Sequence, residues 1–161
     1  MNIESEKIFL LKEGLEKYSH NPKEEVPYWV FVSHTASDSE VIRERILPKD
    51  ETNFHLLNFM SKPILVAEAY KIKILRNIAR CSWFMIVISK NALVSKWVRF
   101  EARWALKYKR KDRIVVVRLD DSNPANIHEK LVDARRVDFY IRPDTFKTEI
   151  EKIMPGVFIL Q

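Results

Sequence analysis

The chain has 161 residues, of which 47% are hydrophobic, and a net charge of +6, which fits one globular domain with a proper core. Basic and acidic residues are interspersed without a basic stripe of interleaved aromatic residues, so no nucleic-acid partner is expected, and no apolar run approaches the ~20 residues of a membrane span. Neither of the two glycines, Gly14 and Gly156, follows a predicted strand, which excludes the GxGxxG and Walker phosphate-binding turns. A single cysteine excludes an internal disulfide and a multi-cysteine metal site.

The first part of the chain predicts a helix, a linker and a first strand. Residues 4–18 have the apolar spacing of a short amphipathic helix, without the apolar core of a signal peptide, and a linker with two prolines follows. The β-rich run at 28–33 predicts the first strand, which ends in a polar turn at 33–38. In this turn Ser37 and Glu40 stand at capping-box spacing, so we expect a helix there that ends at Pro48.

Strands and helices alternate through the middle of the chain. The pattern predicts a second strand at 54–60 with a loop to Tyr70, a helix at 72–79, a strand at 83–89, a helix at 91–110 and a strand at 114–119. The strands at 83–89 and 114–119 are almost entirely apolar. Strands without polar alternation are buried on both faces, which is typical of a parallel sheet covered by helices.

The last part adds an irregular stretch, a short strand at 136–140, a helix at 144–153 and an apolar tail. The full order predicts a three-layer, flavodoxin-like α/β sandwich: a central parallel sheet of about five strands with helices on both faces. Such folds bind ligands at the carboxyl ends of the strands. We therefore expect a binding site among the loops at 33–38, 61–70 and 89–95.

The predicted helix at 91–110 carries a lone acid in an aromatic stripe. One helical face, at four–three–four spacing, holds Trp97, Glu101, Trp104 and Tyr108. Burying such an acid is costly without a partner or solvent. Two interpretations stay open: Glu101 pairs with an arginine such as Arg103 or Arg80 or with a backbone amide, or it faces a cleft whose apolar surroundings tune it for chemistry.

Three segments of the chain resemble TIR (Toll/interleukin-1 receptor) domains. The run WVFVSHTASDSE resembles the first strand and turn of that family, and IVVVRLDD resembles a later strand. The run SWFMIVISKNALVSKWVRFEARWAL resembles the third strand and the helix after it, where Ser95, Trp97 and Glu101 match an S-x-W-x-x-x-E pattern. The resemblance divides the chain into an N-terminal helix and linker (1–27), a TIR domain (28–154) and a tail (155–161).

The resemblance implies a catalytic role for Glu101. In TIR domains that hydrolyse or cyclise NAD⁺, the glutamate of this pattern is the catalytic residue, NAD⁺ is the substrate, and neither a metal nor a further cofactor is needed. Breaking the nicotinamide–ribose bond builds positive charge on the ribose, much as glycoside hydrolysis does. A carboxylate beside the sugar stabilises that charge.

The resemblance also implies a set of substrate-binding residues. These are Ser33, His34, Thr35, Lys62, Tyr70 and Trp97. His34 could equally be a capping or surface histidine, Tyr70 a helix-start residue facing the core, and Lys62 a solvated lysine. Trp97 is expected to wedge its helix against the sheet and aim Glu101. The chain departs from the family in the loop after the second strand, which is short and lacks glycine.

Two functions follow from the resemblance. One is an NAD⁺ glycohydrolase or ADP-ribosyl cyclase of microbial defence or cell-death signalling, whose product a downstream effector would sense. The alternative is a non-catalytic module that binds other TIR domains, and self-association is expected in both cases. A receiver-like domain is disfavoured because the first strand ends in Ser33 and His34 rather than in an acidic cluster. We expect a cytoplasmic protein without membrane association.

Overall fold

A computed structural model describes residues 30–49, 54–55, 74–108 and 111–157 of the chain. Within these residues the strands form one parallel sheet in the order β2-β1-β3-β4-β5. The strands are β1 Val30–Ser33, β2 Phe54–His55, β3 Trp83–Ile88, β4 Ile114–Arg118 and β5 Arg135–Asp138. The predicted flavodoxin-like architecture with five parallel strands is confirmed.

Among the described residues, five helical segments accompany the sheet. They are α1 at 36–46, α2 at 74–80, α3 Lys90–Leu93, α4 Lys96–Tyr108 and α5 Phe146–Ile153. Segment α1 changes its winding along its length, from a 3₁₀ turn through one α-helical turn to a π-helical turn at Ile42–Ile46. Single 3₁₀ turns occur at Lys111–Arg113, Pro124–Asn126, Glu129–Asp133 and Pro143–Thr145.

The sheet separates two hydrophobic cores, because successive side chains of a strand point to opposite faces. Phe31 and Phe84 lie on the face covered by α2 and α4, and their rings stack with centroids 5.6 Å apart. Val32 and Met85 lie on the other face, which α1 and α5 cover. Ser33 follows Phe31 by two positions, so its side chain points toward α4.

One long helix at 91–110 was predicted, and this prediction is wrong. The chain leaves the helical path at Val94 and Ser95, which separates α3 from α4. The hydroxyl of Ser95 accepts a hydrogen bond from the backbone N–H of Val98 at 3.2 Å, which caps the start of α4. Serine competes well for such orphan N–H groups, so it favours a new helix start over continuation.

The predicted capping box of Ser37 and Glu40 is also wrong. Ser37 lies inside the first 3₁₀ turn, and Thr35 precedes that turn without capping it through its side chain. The Thr35 hydroxyl donates instead to the Asp38 carboxylate, at 2.9 Å. The Asp38 carboxylate therefore takes part in side-chain contacts at the end of β1.

Some predictions fall outside the described residues: the helix at 4–18, most of the strand at 54–60, the loop at 61–70 and the tail beyond 157. The predicted helices at 72–79 and 144–153 correspond to α2 and α5. The predicted strand at 136–140 corresponds to β5, which starts one residue earlier and ends at Asp138. No helix in the described ranges is long and apolar enough to cross a membrane.

We predict that Ser95→Ala lowers the free energy of unfolding by about 1 kcal/mol, the usual value of a serine N-cap. Ser95→Asp should keep most of the stability, because aspartate accepts the same hydrogen bond and complements the helix dipole. Urea unfolding of the three proteins measures the difference. Equal stability of parent and Ser95→Ala would show that the cap contributes nothing.

Candidate functional site

The candidate site lies where the carboxyl ends of β1 and β3 meet. In the strand order 2-1-3-4-5 the connections leave β1 and β3 in opposite directions, so a crevice forms between these two ends, and flavodoxin-like folds bind ligands there. Ser33 pairs in register with Ile86, and Ser89 directly follows the last residue of β3. Two serine hydroxyls therefore stand at this edge.

Glu101 reaches this edge from α4. Its helical neighbours Val98, Ala102 and Ala105 are fully buried, and the Glu101 side chain lies on the same sheet-facing side with an exposed fraction of only 4%. The Ser33 hydroxyl donates a hydrogen bond to Glu101 Oε1 at 2.8 Å. This contact joins the end of β1 to the middle of α4.

Burial changes the acidity of Glu101 strongly. Removal from water raises the pKa of Glu101 from an ordinary value of 4.5 to about 8, and the hydrogen bond from Ser33 acts in the opposite direction. Neither cause is a cation, and Arg103 lies exposed on the outer side of α4. The pairing with Arg103 considered from the sequence is therefore wrong. The carboxyl group meets a hydroxyl, not a compensating charge.

The aromatic residues of α4 contact one another in series along the helix. Trp97 contacts Phe100 edge-on at 5.6 Å, Phe100 contacts Trp104 at 6.2 Å, and Trp104 stacks on Tyr108 at 5.2 Å. Phe100, which the predicted stripe did not include, is part of this series. Trp97 is half-buried against the core under α4, and its role in aiming Glu101 remains a prediction.

His34 is buried next to Ser33, with an exposed fraction of 9%, so the interpretation as a surface histidine is wrong. Its Nδ1 lies 3.0 Å from the carbonyl oxygen of Val32 and its Nε2 lies 3.1 Å from the Ser39 hydroxyl. A carbonyl only accepts, so Nδ1 carries the proton and Nε2 is left to accept from Ser39. Burial lowers the pKa of His34, which favours this neutral form.

Sequence reasoning overlooked Asp38, the second buried acid at this edge. Asp38 is 6% exposed, and its carboxylate accepts hydrogen bonds from the hydroxyls of Thr35 at 2.9 Å and Ser89 at 2.5 Å. The side-chain amide of Asn91 donates to the other oxygen at 3.4 Å. The only signal in the sequence was its place as the acid that ends the polar turn at 33–38, and this place does not reveal its contact with Ser89 across the edge.

Further along the edge, two more carboxylates connect loops. Asp120 accepts from the backbone N–H groups of Lys90 and Ser122, both at 2.9 Å, which ties the loop after β3 to the loop after β4. Asp138 forms a bidentate pair with Arg118 at 2.6 and 3.0 Å, which joins β5 to β4. The hydrogen bond from Arg118 lowers the pKa of Asp138.

The structure thus brings together four of the expected site residues around one end of the sheet: Ser33, His34, Thr35 and Glu101. Trp97 lies one turn before Glu101 on α4. Lys62 and Tyr70 are outside the described residues. Among the residues that are described, no group of three or more His, Cys, Asp or Glu side chains is placed to hold a metal ion.

We predict that Glu101→Gln makes the protein relatively more stable as the pH rises. Between pH 4.5 and about 8 the folded state keeps a proton on Glu101 that the unfolded chain releases, so the parent loses free energy of unfolding by up to about 1.4 kcal/mol per pH unit. Glutamine does not ionise and removes this slope.

Urea unfolding of parent and variant near pH 5 and near pH 9 measures the effect, and groups that titrate in both proteins cancel in the difference. The stability difference between Glu101→Gln and the parent should shift toward the variant at the higher pH by about 1 kcal/mol or more. The same difference at both pH values would contradict the raised pKa.

Comparison with known protein families gives one result. The family model described as TIR domain matches residues 30–154, which spans the sheet, its helices and the Ser33–Glu101 contact. Searches of curated proteins and of solved structures found no match. Because the family model covers most of the chain and the parallel sheet has the expected order, this chain belongs to the TIR domain family.

Proposed function

We propose that this TIR domain cleaves the nicotinamide–ribose bond of NAD⁺, with Glu101 as the catalytic carboxylate. One observation carries the proposal: Glu101 is buried at the β1/β3 crevice with a hydroxyl as its partner and with a pKa raised to about 8. Acids with strongly perturbed pKa values in a ligand-binding crevice are typical of functional sites. The TIR family includes NAD-cleaving members, which agrees with this choice.

The chemistry needs little more than a negative charge at the right place. When the bond between ribose C1′ and the pyridinium nitrogen breaks, its electron pair leaves with neutral nicotinamide and positive charge develops on the ribose. An ionised Glu101 in a low-dielectric crevice stabilises that charge more strongly than water does. Water as the acceptor gives ADP-ribose and a proton, whereas an adenine nitrogen of the same molecule gives a cyclic isomer.

The substrate itself supplies the neighbouring positive charge that Glu101 lacks. The free site favours the protonated carboxyl group near neutral pH, because no cation of the described part of the chain offsets its burial. The nicotinamide ring of NAD⁺ is a cation, and a positive charge within a few ångströms favours the ionised carboxylate. Binding of NAD⁺ is therefore expected to create the charged form that the reaction requires.

Neighbouring residues have supporting roles in this proposal. The Ser33 hydroxyl, which donates to Glu101 in the free site, is placed to share the carboxylate with a ribose hydroxyl. Thr35 and neutral His34 belong to the same loop and are proposed to line the nucleotide pocket, and Trp97 to hold α4 against the sheet. Lys62 and Tyr70 stay proposals for the pyrophosphate and the nicotinamide or ribose.

A non-catalytic TIR interaction module is the second candidate. The observation in its favour is the closure of the site, since Glu101 is only 4% exposed and its bond to Ser33 ties β1 to α4 whether or not any reaction occurs. TIR domains commonly associate with one another. Self-association with no nicotinamide release at any concentration would favour this candidate over the enzyme.

We expect purified protein at high concentration to release nicotinamide from NAD⁺, and Glu101→Gln to lower the rate at least about a hundredfold, the usual effect of removing a transition-state stabilising group. Arg103→Gln is the matched control, because Arg103 lies on the same helix but is exposed. Release by Glu101→Gln at the parent rate, or an equal loss in Arg103→Gln, would contradict the assignment.

We also expect the reaction to depend on pH in a defined direction. Because the ionised carboxylate is the active form, kcat/KM should rise with pH and level off above about 8, the pKa of Glu101 in the free protein. The kcat profile should level off at a lower pH, because bound NAD⁺ favours ionisation. Steady-state rates across this range test both profiles. A kcat/KM that falls as pH rises would exclude an ionised Glu101 as the active form.

A further inference from the structure

The contacts at the carboxyl edge form a closed ring of which Glu101 is one member. On one side the Ser33 hydroxyl holds Glu101 at 2.8 Å. On the other side the Asp38 carboxylate holds the Ser89 hydroxyl at 2.5 Å. The chain from Ser33 to Asp38 connects these two contacts through the loop after β1, and the chain from Ser89 to Glu101 connects them through α3 and the start of α4.

The second of these connections is held rigidly by hydrogen bonds. The Ser89 hydroxyl accepts from the backbone N–H of Ala92 at 3.1 Å while it donates to Asp38, so it caps α3 and anchors it at once. The N–H of Ser95 donates to the carbonyl of Ala92 at 3.1 Å. Ser95 in turn caps α4 at the N–H of Val98. These hydrogen bonds therefore link Ser89 to the start of α4 without a break.

The first connection is short and also braced. Thr35 donates to Asp38 at 2.9 Å, and the N–H of Asp38 donates back to the carbonyl of Thr35 at 3.1 Å. His34, between Ser33 and Thr35, is held by Val32 and Ser39. The loop after β1 therefore has few ways to move while Asp38 keeps its partners.

We propose that Asp38 is a positioning residue that closes this ring: by joining the loop after β1 to the loop after β3, it holds Ser33 against Glu101 and keeps water out of the crevice between them. Asp38 does not act on the substrate, because its carboxylate is already occupied by three donors. Its effect on turnover rests on the proposed function, whereas its effect on the surroundings of Glu101 does not.

Among the described residues, His34 and Arg43 are the titratable and charged groups that act on this loop together with Asp38. Burial lowers the pKa of His34, and the nearby charge of Asp38 opposes this shift while Arg43 adds to it. Asp120 fixes the loop after β3 by accepting a hydrogen bond from the N–H of Lys90 at 2.9 Å, but Asp120 itself lies outside the ring. Asp120→Asn is therefore a matched control: it disturbs a loop-fixing carboxylate without opening the ring.

The test is the pKa of Glu101 in the ligand-free protein, read from the carbon-13 resonance of its side-chain carboxyl. Asp38→Asn and Ser89→Ala should each lower this pKa by one unit or more, because an open ring admits water and relieves the desolvation that raises it. Asp120→Asn should leave it within a few tenths of the parent value. Ser89→Ala removes the contact across the ring but keeps the Asp38 carboxylate. If Asp38→Asn does not fold, the Glu101 pKa in Ser89→Ala therefore tests the proposal.

A Glu101 pKa that is unchanged in both ring variants, or that moves equally in Asp120→Asn, would overturn the proposal. Turnover gives a second reading: kcat should fall on the order of tenfold in the ring variants and much less in the control, since misplaced catalytic groups lose rate steeply. If the parent releases no nicotinamide, the proposed function fails, but the titration still confirms or refutes the role of Asp38.

Discussion

The hydrogen bond from Ser33 to Glu101 brings a carboxyl group into the core side of the sheet, where none of the described residues places a cation beside it. Its geometry follows from the strand period, because Ser33 comes two residues after Phe31 and so points to the face that α4 covers. A buried carboxylate without a partner charge is costly, and a proton on Glu101 relieves most of that cost. The crevice therefore contains an acid that gains from the arrival of a positive charge.

The other acids of the same edge differ from Glu101 in their partners. Asp138 has the guanidinium of Arg118, and Asp120 accepts two backbone N–H groups, and both have lowered pKa values. Asp38 has three side-chain donors. Asp38 and Asp120 each connect two loops, and Asp138 connects the ends of β4 and β5, so these three carboxylates hold the edge together. Of these four acids, Glu101 alone accepts its hydrogen bond from a single hydroxyl and has a raised pKa. This contrast is why we assign chemistry to Glu101 and positioning to Asp38.

The sheet could be predicted from the sequence because two of its strands are continuous apolar runs. The runs WFMIVI and IVVV have no polar alternation, and only a parallel sheet covered on both faces accommodates them. The break between α3 and α4 could not be predicted from periodicity, since Val94 and Ser95 fit a continuous helix. The hydrogen bond from the Val98 N–H to the Ser95 hydroxyl starts a new helix there. Such a capping contact depends on backbone geometry, which the spacing of apolar residues does not reveal.

The candidate site was predictable only in part, for a related reason. Spacing on α4 singled out Glu101, and the first-strand turn singled out Ser33, but their contact joins residues 68 positions apart. Asp38 was overlooked because its bond to Ser89 spans 51 positions and exists only once β1 and β3 lie side by side. Contacts of this kind follow from topology. Local patterns single out candidate residues for chemistry, but they do not show which of these residues contact one another.

The most direct measurement is the ionisation of the Glu101 carboxyl, by carbon-13 NMR, with and without a non-cleavable analogue of NAD⁺ that keeps the pyridinium charge. Without ligand, Glu101 should titrate near pH 8, and saturating analogue at neutral pH should move its resonance to the ionised position. An analogue with a neutral, reduced ring is the matched control and should not do so. A Glu101 that titrates at its ordinary value, or that ignores the cationic ligand, would contradict a site built around an uncompensated buried carboxyl.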